Sequence, residues 1–178
     1  NSDILLKQDS VKKILNYKGH ISLSDFDLRQ FADNEAFSKL NLKANVSGVY
    51  SNSGASHTEI KGKIISIDIN DYKYSNIDIE GLLSDKKFNG ILNIEDENLG
   101  LEFFGGIDFS TSIPIFDFSA NLKKANLSRL KVNTSDTISN ISFSMIANFR
   151  GNSIDNVDGY LEFSNLKYEN SRGQIFQN

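Results

Sequence analysis

Hydrophobic and polar side chains alternate with a period of two through most of the chain after about residue 40. Because successive residues of a β-strand point to opposite faces of a sheet, this alternation predicts strands with one apolar and one polar face. The pattern predicts nine or ten strands and a mainly β fold. The clearest apolar rows lie within Leu40 to Gly48, Ile65 to Ile69, Ile77 to Ile79, Phe88 to Ile94, Leu99 to Phe109, Phe116 to Leu122, Ile141 to Phe149 and Val157 to Phe163.

Clusters of Asn, Asp, Ser and Gly separate these rows and predict short turns. Short connections imply antiparallel neighbours, since a parallel crossover needs a dozen residues or more. The dipeptide Asn89-Gly90 usually marks a two-residue hairpin, but the alternation passes through it without a break. We therefore place the turn at Ser84 to Lys87 and expect Asn89 and Gly90 inside a strand.

The N-terminal part of the chain lacks this clean alternation. Residues 3–16 can form a helix, because Asp3 is a possible N-cap and Val11, Ile14 and Leu15 fall on one stripe. The stretch from Asp25 to Lys39 has neither a helical nor a strand period, and we expect a short helix or two there. The predicted fold class is thus a long, twisted antiparallel sheet with one or two short helices near the N-terminus.

An internal repeat is visible at a spacing of about 100 residues. Residues 23–31 and 122–130 are apolar at the same four positions, with an offset of 99. We therefore interpret the chain as a single fragment of a repeated β-groove protein. It divides into a possible helical lead-in over residues 1–17, a first repeat over 18–117 and a partial second repeat over 118–178.

Composition and charge exclude several classes of function. The 178 residues include no Cys, which rules out thiol catalysis, disulfides and Cys-ligated zinc. The net charge of −4 comes from interspersed charges of both signs, which argues against a nucleic-acid partner. There is no apolar run long enough to span a membrane, so any signal or anchor of the native protein would lie outside this segment.

No group of residues stands out as catalytic. His20 and His57 have no second ligand at metal-binding spacing, and the carboxylates from Glu95 to Glu97 and at Asp85 fall on turns or on the polar face. A weak calcium site at Glu95 to Glu97 stays open as an alternative. We expect no enzyme activity, no catalytic residue, no metal and no cofactor.

The apolar rows themselves are the most informative feature. A long sheet with one apolar face must cover that face with a second sheet, with helices, by closing on itself, or with something other than protein. An ordinary closed sandwich or barrel is one solution. Such a domain could belong to a surface protein that binds carbohydrate or protein through exposed Tyr and Asn.

A second solution comes from a resemblance that covers nearly the whole chain from about residue 16. The strand pattern resembles that of the TamB proteins of the Bacteroidetes type, members of the AsmA-like group of bridge-like lipid transfer proteins. The segments that carry the resemblance are Tyr17 to Leu28, Ile65 to Gly81, Lys87 to Phe103 (KFNGILNIEDENLGLEF), Gly106 to Ser110 and Ile113 to Leu127.

The resemblance implies an envelope-spanning periplasmic protein, anchored in the inner membrane, whose sheet is bent into an open half-pipe or β-taco with an apolar interior. It implies phospholipid transport to the outer membrane, a role in outer-membrane biogenesis and a BamA- or TamA-type barrel as partner. Neighbouring repeats, or a second copy meeting edge to edge, are further expected partners. The expected lining of the lipid groove is Ile65, Ile67, Ile69, Leu92, Ile94, Leu101, Phe103, Ile107, Phe116, Phe118, Phe143, Met145, Leu161 and Phe163.

Overall fold

In a computed structural model of the chain, the strands form one antiparallel β-sheet. The structure describes residues 2–9, 14–29, 35–51, 56–132, 139–173 and 175–177. Eleven strands lie side by side in the same order as in the sequence, so the mainly β prediction is confirmed with a slightly larger strand count. The strands are β1 (Asp3–Asp9), β2 (Ile14–Asp27), β3 (Phe37–Ser51), β4 (His57–Ile69), β5 (Tyr72–Ser84), β6 (Lys87–Glu95), β7 (Leu99–Asp108), β8 (Ile115–Asn126), β9 (Ser139–Arg150), β10 (Asp158–Asn170) and β11 (Ile175–Gln177).

The sheet is open. Strands β1 and β11 form its two edges and do not pair with each other. Every strand in the described ranges belongs to this one sheet, so no second sheet covers either face. The architecture fits the expected half-pipe, and the closed sandwich or barrel considered as an alternative is wrong.

The predicted helix over residues 3–16 is wrong for the residues that the structure describes. Residues 3–9 form strand β1, and β2 begins at Ile14, while residues 10–13 of the predicted helix lie outside the described ranges. Strands β2 and β3 take up both ends of the Asp25 to Lys39 stretch. Between them Arg29 has helical backbone and residues 30–34 lie outside the described ranges, so the short helix expected there stays a prediction. A short 3₁₀ turn spans Ile154–Asn156.

The hairpin between β5 and β6 turns where the sequence predicted. Asp85 and Lys86 have φ angles of 42° and 66°, and two positive φ values are what a tight two-residue hairpin turn requires. Strand β6 then runs through Asn89 and Gly90 to Glu95 without interruption. The prediction that Asn89-Gly90 is not a turn is therefore confirmed.

Cross-strand pairing aligns the apolar rows of successive strands. Leu92 pairs with Ile79 on one side and Phe103 on the other, and the row continues through Ala120 to Met145. Because paired residues share a face, these rows merge into one surface, which we call the apolar face. It consists of Leu40, Leu42, Ala44, Val46, Ile60, Ile64, Ile67, Ile69, Ile77, Ile79, Leu83, Phe88, Leu92, Ile94, Leu101, Phe103, Ile107, Phe116, Phe118, Ala120, Leu122, Ile141, Phe143, Met145, Ala147, Phe149, Leu161 and Phe163, with glycines between them.

One predicted lining residue, Ile65, does not join this face. Leu42 pairs with Ile64, but Asn41 pairs with Ser66, so Ile65 is an extra residue at a register shift. Such a β-bulge changes which residues follow the alternation. Ile64 and Ile67 pack against the buried cluster of Leu40, Leu42 and Ala44, whereas Ile65 is 44% exposed.

The opposite face is mainly polar, although Ile91, Phe104 and Ile146 are exposed on it, and it is crossed by ion pairs between neighbouring strands. The Nζ atom of Lys61 lies 2.8 Å from Oε2 of Glu80, and the Nζ atom of Lys123 lies 2.6 Å from Oε1 of Glu102. These side chains are largely exposed, so each pair stabilises the fold by less than about 1 kcal/mol. The pairs add little to stability, and burial of the apolar face is the main driving force.

The turns form two rims along the sheet, one at each end of the strands. We call them the Lys86 rim, after the β5–β6 turn, and the Asp71 rim, after the β4–β5 turn at Asn70 and Asp71. Residues 127–132 fold along the Asp71 rim, where Leu130 is 5% exposed. Lys131 Nζ donates to the Asp71 carbonyl oxygen at 2.8 Å, which ties the β8–β9 connection to the β4–β5 turn.

Two register irregularities occur at the spacing of the sequence repeat. The pairing of β2 with β3 shifts between Leu23 and Phe26, and the pairing of β8 with β9 shifts between Leu122 and Ala125. Both offsets are 99 residues, which corresponds to six strands or three hairpins. This coincidence supports a three-hairpin repeat, and the repeat boundaries stay a prediction.

Glycines allow neighbouring strands to approach closely on the apolar face. Gly81, Gly90 and Gly105 pair in one row across β5, β6 and β7. A Cβ atom built on Gly90 would lie 2.2 Å from the carbonyl oxygen of Glu80 and 2.6 Å from the Cα of Gly81. Both obstacles are backbone atoms, so no side-chain movement can relieve the clash.

We expect Gly90→Ala to destabilise the fold by about 1–3 kcal/mol, because the strands around it would have to separate. The matched control is Gly106→Ala, since a Cβ there would meet its nearest atom at 3.6 Å. Urea unfolding followed by tyrosine fluorescence would measure both. Equal losses of stability in the two variants would contradict this account of the glycine row.

Candidate functional site

The strongest candidate site is the apolar face itself. Of the fourteen residues predicted to line a groove, thirteen lie on this face and Ile65 does not. The structure also brings residues onto the face that were not in the predicted set, such as Ile60, Ile79, Phe88 and Phe149.

The middle of the apolar face is filled by aromatic side chains from adjacent strands. Phe103 is 7% exposed, and its ring centroid lies 5.0 Å from that of Phe118 and 6.2 Å from that of Phe88. These distances fall in the range of favourable aromatic contacts. Phe103 is therefore largely buried by its neighbours within a single layer.

Two of the aromatic side chains on β8 and β9 lie opposite unusual glycines. Gly105 pairs with Phe118 and Gly159 pairs with Phe149, and these glycines have φ angles of 135° and 136°. Such positive φ values are open to glycine and costly for residues with a Cβ. In both positions a Cβ would come within 2.8 Å of the Cβ of the paired Phe, so the missing side chain also makes room for the aromatic residue.

The apolar face becomes more exposed toward the C-terminal edge of the sheet. Leu161 and Phe163 on β10 are 45% and 48% exposed, although both continue the apolar rows of β9. Phe163 contacts Phe143 edge to face at 5.4 Å and is otherwise open to solvent on one side. The face therefore ends in uncovered apolar surface rather than in a polar border.

A buried carboxylate organises the Asp71 rim, and no sequence motif predicts it. Asp96 Oδ1 accepts hydrogen bonds from Tyr72 Oη at 2.5 Å and from the Asn98 amide at 2.9 Å. Asp96 Oδ2 accepts from the amide and the hydroxyl of Ser75 at 3.0 and 2.8 Å. The network joins β5 to the β6–β7 turn across residues 21 to 24 positions apart, so a local motif could not reveal it.

Opposing effects set the pKa of the Asp96 carboxyl. Burial favours the neutral acid and raises the pKa, but the hydrogen bonds from Tyr72, Asn98 and Ser75 outweigh burial and hold the pKa below its ordinary value. The carboxylate thus has its acceptor sites occupied by protein donors. Asp96, the central residue of the possible calcium site at Glu95 to Glu97, therefore does not support that alternative.

The other polar candidates are not brought together. His20 Nδ1 lies 3.4 Å from Asn45 Oδ1 on β3, and His57 lines a cavity at the Lys86 rim. Across the described ranges, no three His, Cys, Asp or Glu side chains gather as a metal site would require. Tyr50 and Tyr160, two of the tyrosines considered for sugar stacking, are exposed on strands β3 and β10 at opposite parts of the sheet.

Comparison with protein-family models, with curated proteins and with solved structures finds no match to this chain. Within the described residues, no helix has both the length and the apolar character needed to cross a membrane.

Two adjacent phenylalanines provide a direct test of which face is buried. We expect Phe103→Ala to lower the free energy of unfolding by about 3–5 kcal/mol, the usual cost of removing a buried aromatic ring. Phe104→Ala, on the polar face at 63% exposure, should change it by less than about 0.5 kcal/mol. Urea denaturation of both variants would measure the difference, and similar values would refute the assignment of faces.

We expect Asp96→Asn to destabilise the fold by about 2 kcal/mol, because hydrogen bonds to a charged group are lost. Since the folded pKa of Asp96 is lowered, its contribution is complete above the unfolded pKa of about 3.9 and is lost as the pH falls through the folded pKa. Stability measured from pH 6 to pH 2 should therefore fall less steeply in the variant. The control is Glu97→Gln, an exposed neighbour, which should keep the normal acid dependence.

Proposed function

We propose that this chain is a non-enzymatic conduit segment that carries phospholipid acyl chains along its apolar face. The observation that carries the proposal is one continuous apolar surface on an open sheet, with no second layer of described structure above it. Such a surface needs a nonpolar occupant that the described protein does not supply.

The composition of the face suits a sliding ligand. From Ile77 on β5 to Phe163 on β10, the residues aligned on this face are apolar or glycine. A lipid tail gains roughly 0.8 kcal/mol for each methylene that leaves water, so one chain gains on the order of 10 kcal/mol before costs. Because no charge or hydrogen-bonding group interrupts the rows, no single contact would fix the chain in place.

The direction of the rows gives the conduit its length. The rows run across the strands, so a ligand moving along one row passes from β5 to β6 and onward to β10. With neighbouring strands about 4.8 Å apart, the nine strands from β2 to β10 span roughly 40 Å. At the β1 edge, Leu6 extends apolar surface to the border of the sheet. Leu161 does the same on the part of β10 that does not pair with β11.

On the resemblance to TamB proteins, we propose that the conduit belongs to an inner-membrane-anchored protein of the periplasm that supports outer-membrane biogenesis. The unpaired edges support this proposal, because neighbouring repeats could extend the sheet and its apolar face in both directions. A BamA- or TamA-type barrel remains the proposed partner at the outer membrane. A second copy at an exposed edge is the proposed partner of the isolated segment.

We expect the purified chain to bind a fluorescent long-chain fatty acid saturably, and Phe163→Asp to weaken that binding about tenfold by placing a charge on the apolar face. Phe163 is already half exposed, so the variant should fold. Phe104→Asp is the matched control, since it adds the same charge to the polar face.

Binding can be followed by fluorescence titration, with a photo-reactive residue at position 163 or 104 as a second readout in cells. Phospholipid adducts are expected from position 163 and not from 104. A folded chain that binds no lipid, or one weakened equally by both substitutions, would refute the conduit.

A further inference from the structure

We propose that a cavity at the Lys86 rim holds the headgroup of a zwitterionic phospholipid, whose acyl chain lies on the apolar face. This inference rests on the proposed function and deepens it, because it names the headgroup class that one position of the conduit would favour. The cavity has a volume of about 440 Å³, within the usual range for a small-molecule site.

The inner wall of the cavity is part of the apolar face. Leu83, Phe88 and Ile107 pair in one row across β5, β6 and β7 and all line the cavity. This row is the last apolar row before the β5–β6 turn, with only the Ser84 and Lys87 pair between them. An acyl chain lying on the apolar face would therefore reach this cavity where the apolar face ends at the Lys86 rim.

The polar groups of Tyr17, His57 and Thr58 at one side of the cavity form hydrogen bonds with one another. The Tyr17 hydroxyl lies 2.5 Å from Thr58 Oγ1, and it also donates to the His57 carbonyl oxygen at 3.3 Å. Gly48 on β3 lies between Tyr17 on β2 and Thr58 on β4. A Cβ atom at Gly48 would lie 2.6 Å from the Tyr17 hydroxyl oxygen and 2.8 Å from its Cζ atom. Tyr17 thus closes the β2 side of the cavity and leaves the β5–β6 turn as its charged border.

That border carries two opposite charges for which the described residues supply no ion-pair partner. Lys87 and Asp108 pair with each other at 2.9 Å. Asp85 and Lys86 both line the cavity, and among the described residues neither takes part in an ion pair. Both are exposed on a two-residue turn, so they can turn toward a ligand without the cost of leaving water.

Two free charges of opposite sign match a zwitterion better than an anion or a cation. A phosphate would lie near Lys86, and the ammonium group of the same headgroup would lie near Asp85. A simple anion would be attracted by Lys86 but repelled by Asp85. A simple cation would be attracted by Asp85 but repelled by Lys86. His57 also lines this cavity and is the one remaining ionisable side chain there besides Lys87 and the tyrosines.

Among the described residues, the Asp71 rim offers no comparable site. The described lining of its cavity includes Glu35, Asp68 and Asp71 with Lys73 as the one cation, and it contains no apolar row. Residues 127–132 also lie along that rim through the Lys131 contact. A headgroup with a phosphate is therefore better accommodated at the Lys86 rim.

The test compares C12 amphiphiles that differ in the headgroup, as competitors of the bound fluorescent fatty acid at concentrations below micelle formation. We expect dodecylphosphocholine to bind about fivefold more tightly than dodecyl phosphate or dodecyltrimethylammonium, as two exposed charge contacts allow. Phosphocholine and inorganic phosphate, which lack the chain, should not compete.

Substitutions test whether Asp85 and Lys86 cause the preference for the zwitterionic headgroup. Asp85→Asn combined with Lys86→Gln should abolish the fivefold preference and leave the binding of dodecyl phosphate within about twofold of its original value. The matched control is Asp71→Asn combined with Lys73→Gln, at the opposite end of strand β5, and it should leave the preference unchanged.

Equal affinity for the three amphiphiles, or a preference that survives the Asp85 and Lys86 substitutions, would overturn the headgroup site and leave the conduit intact. Failure of the unmodified chain to bind any amphiphile would overturn the conduit as well. Competition by inorganic phosphate alone would show a free-phosphate site and would also refute the headgroup proposal.

Discussion

The structure depends on one constraint: an eleven-stranded sheet has a continuous apolar face and no second layer of described structure to bury it. In most β-proteins a facing sheet or helix removes that surface from water. Here the burial of Phe103 and of the Leu40, Leu42 and Ala44 cluster comes from neighbours within the same layer. The sheet therefore buries part of its apolar face without a covering layer of described structure, and the exposed remainder is available for a ligand.

Local backbone features make this burial within one layer possible. The glycine row of Gly81, Gly90 and Gly105 lets strands approach where a Cβ would clash, and Gly105 and Gly159 adopt φ angles that other residues avoid. The register shifts in β2, β4, β8 and β10 change the alternation without ending the strands. Bulges and glycines are the usual means by which sheets bend, so these positions set the shape of the groove.

Much of the fold could be predicted because alternation is a local signal. The strands after residue 40, the position of the β5–β6 turn and the continuity of β6 through Asn89 and Gly90 all follow from neighbouring residues. The N-terminal segment could not be predicted in this way. Val11, Ile14 and Leu15 have helical spacing in the sequence, but Ile14 and Leu15 lie in β2, whose pairing with β1 and β3 overrides the helical propensity there. The prediction that Ile65 lies on the apolar face was wrong for a related reason, because the position of a bulge depends on the partner strand. The Asp96 network and the Tyr17–Thr58 contact join distant strands, and no single stretch of sequence contains them.

The orientation of the apolar rows has a consequence for how such a protein can change in evolution. Since the rows cross the strands, the path grows with the number of strands and not with their length. Duplicating one complete hairpin would add roughly 10 Å of path while every downstream side chain keeps its orientation. A single-residue insertion inside a strand would instead turn the rest of that strand over unless a bulge absorbed it. Gain or loss of whole hairpins is thus the change that such a sheet tolerates best.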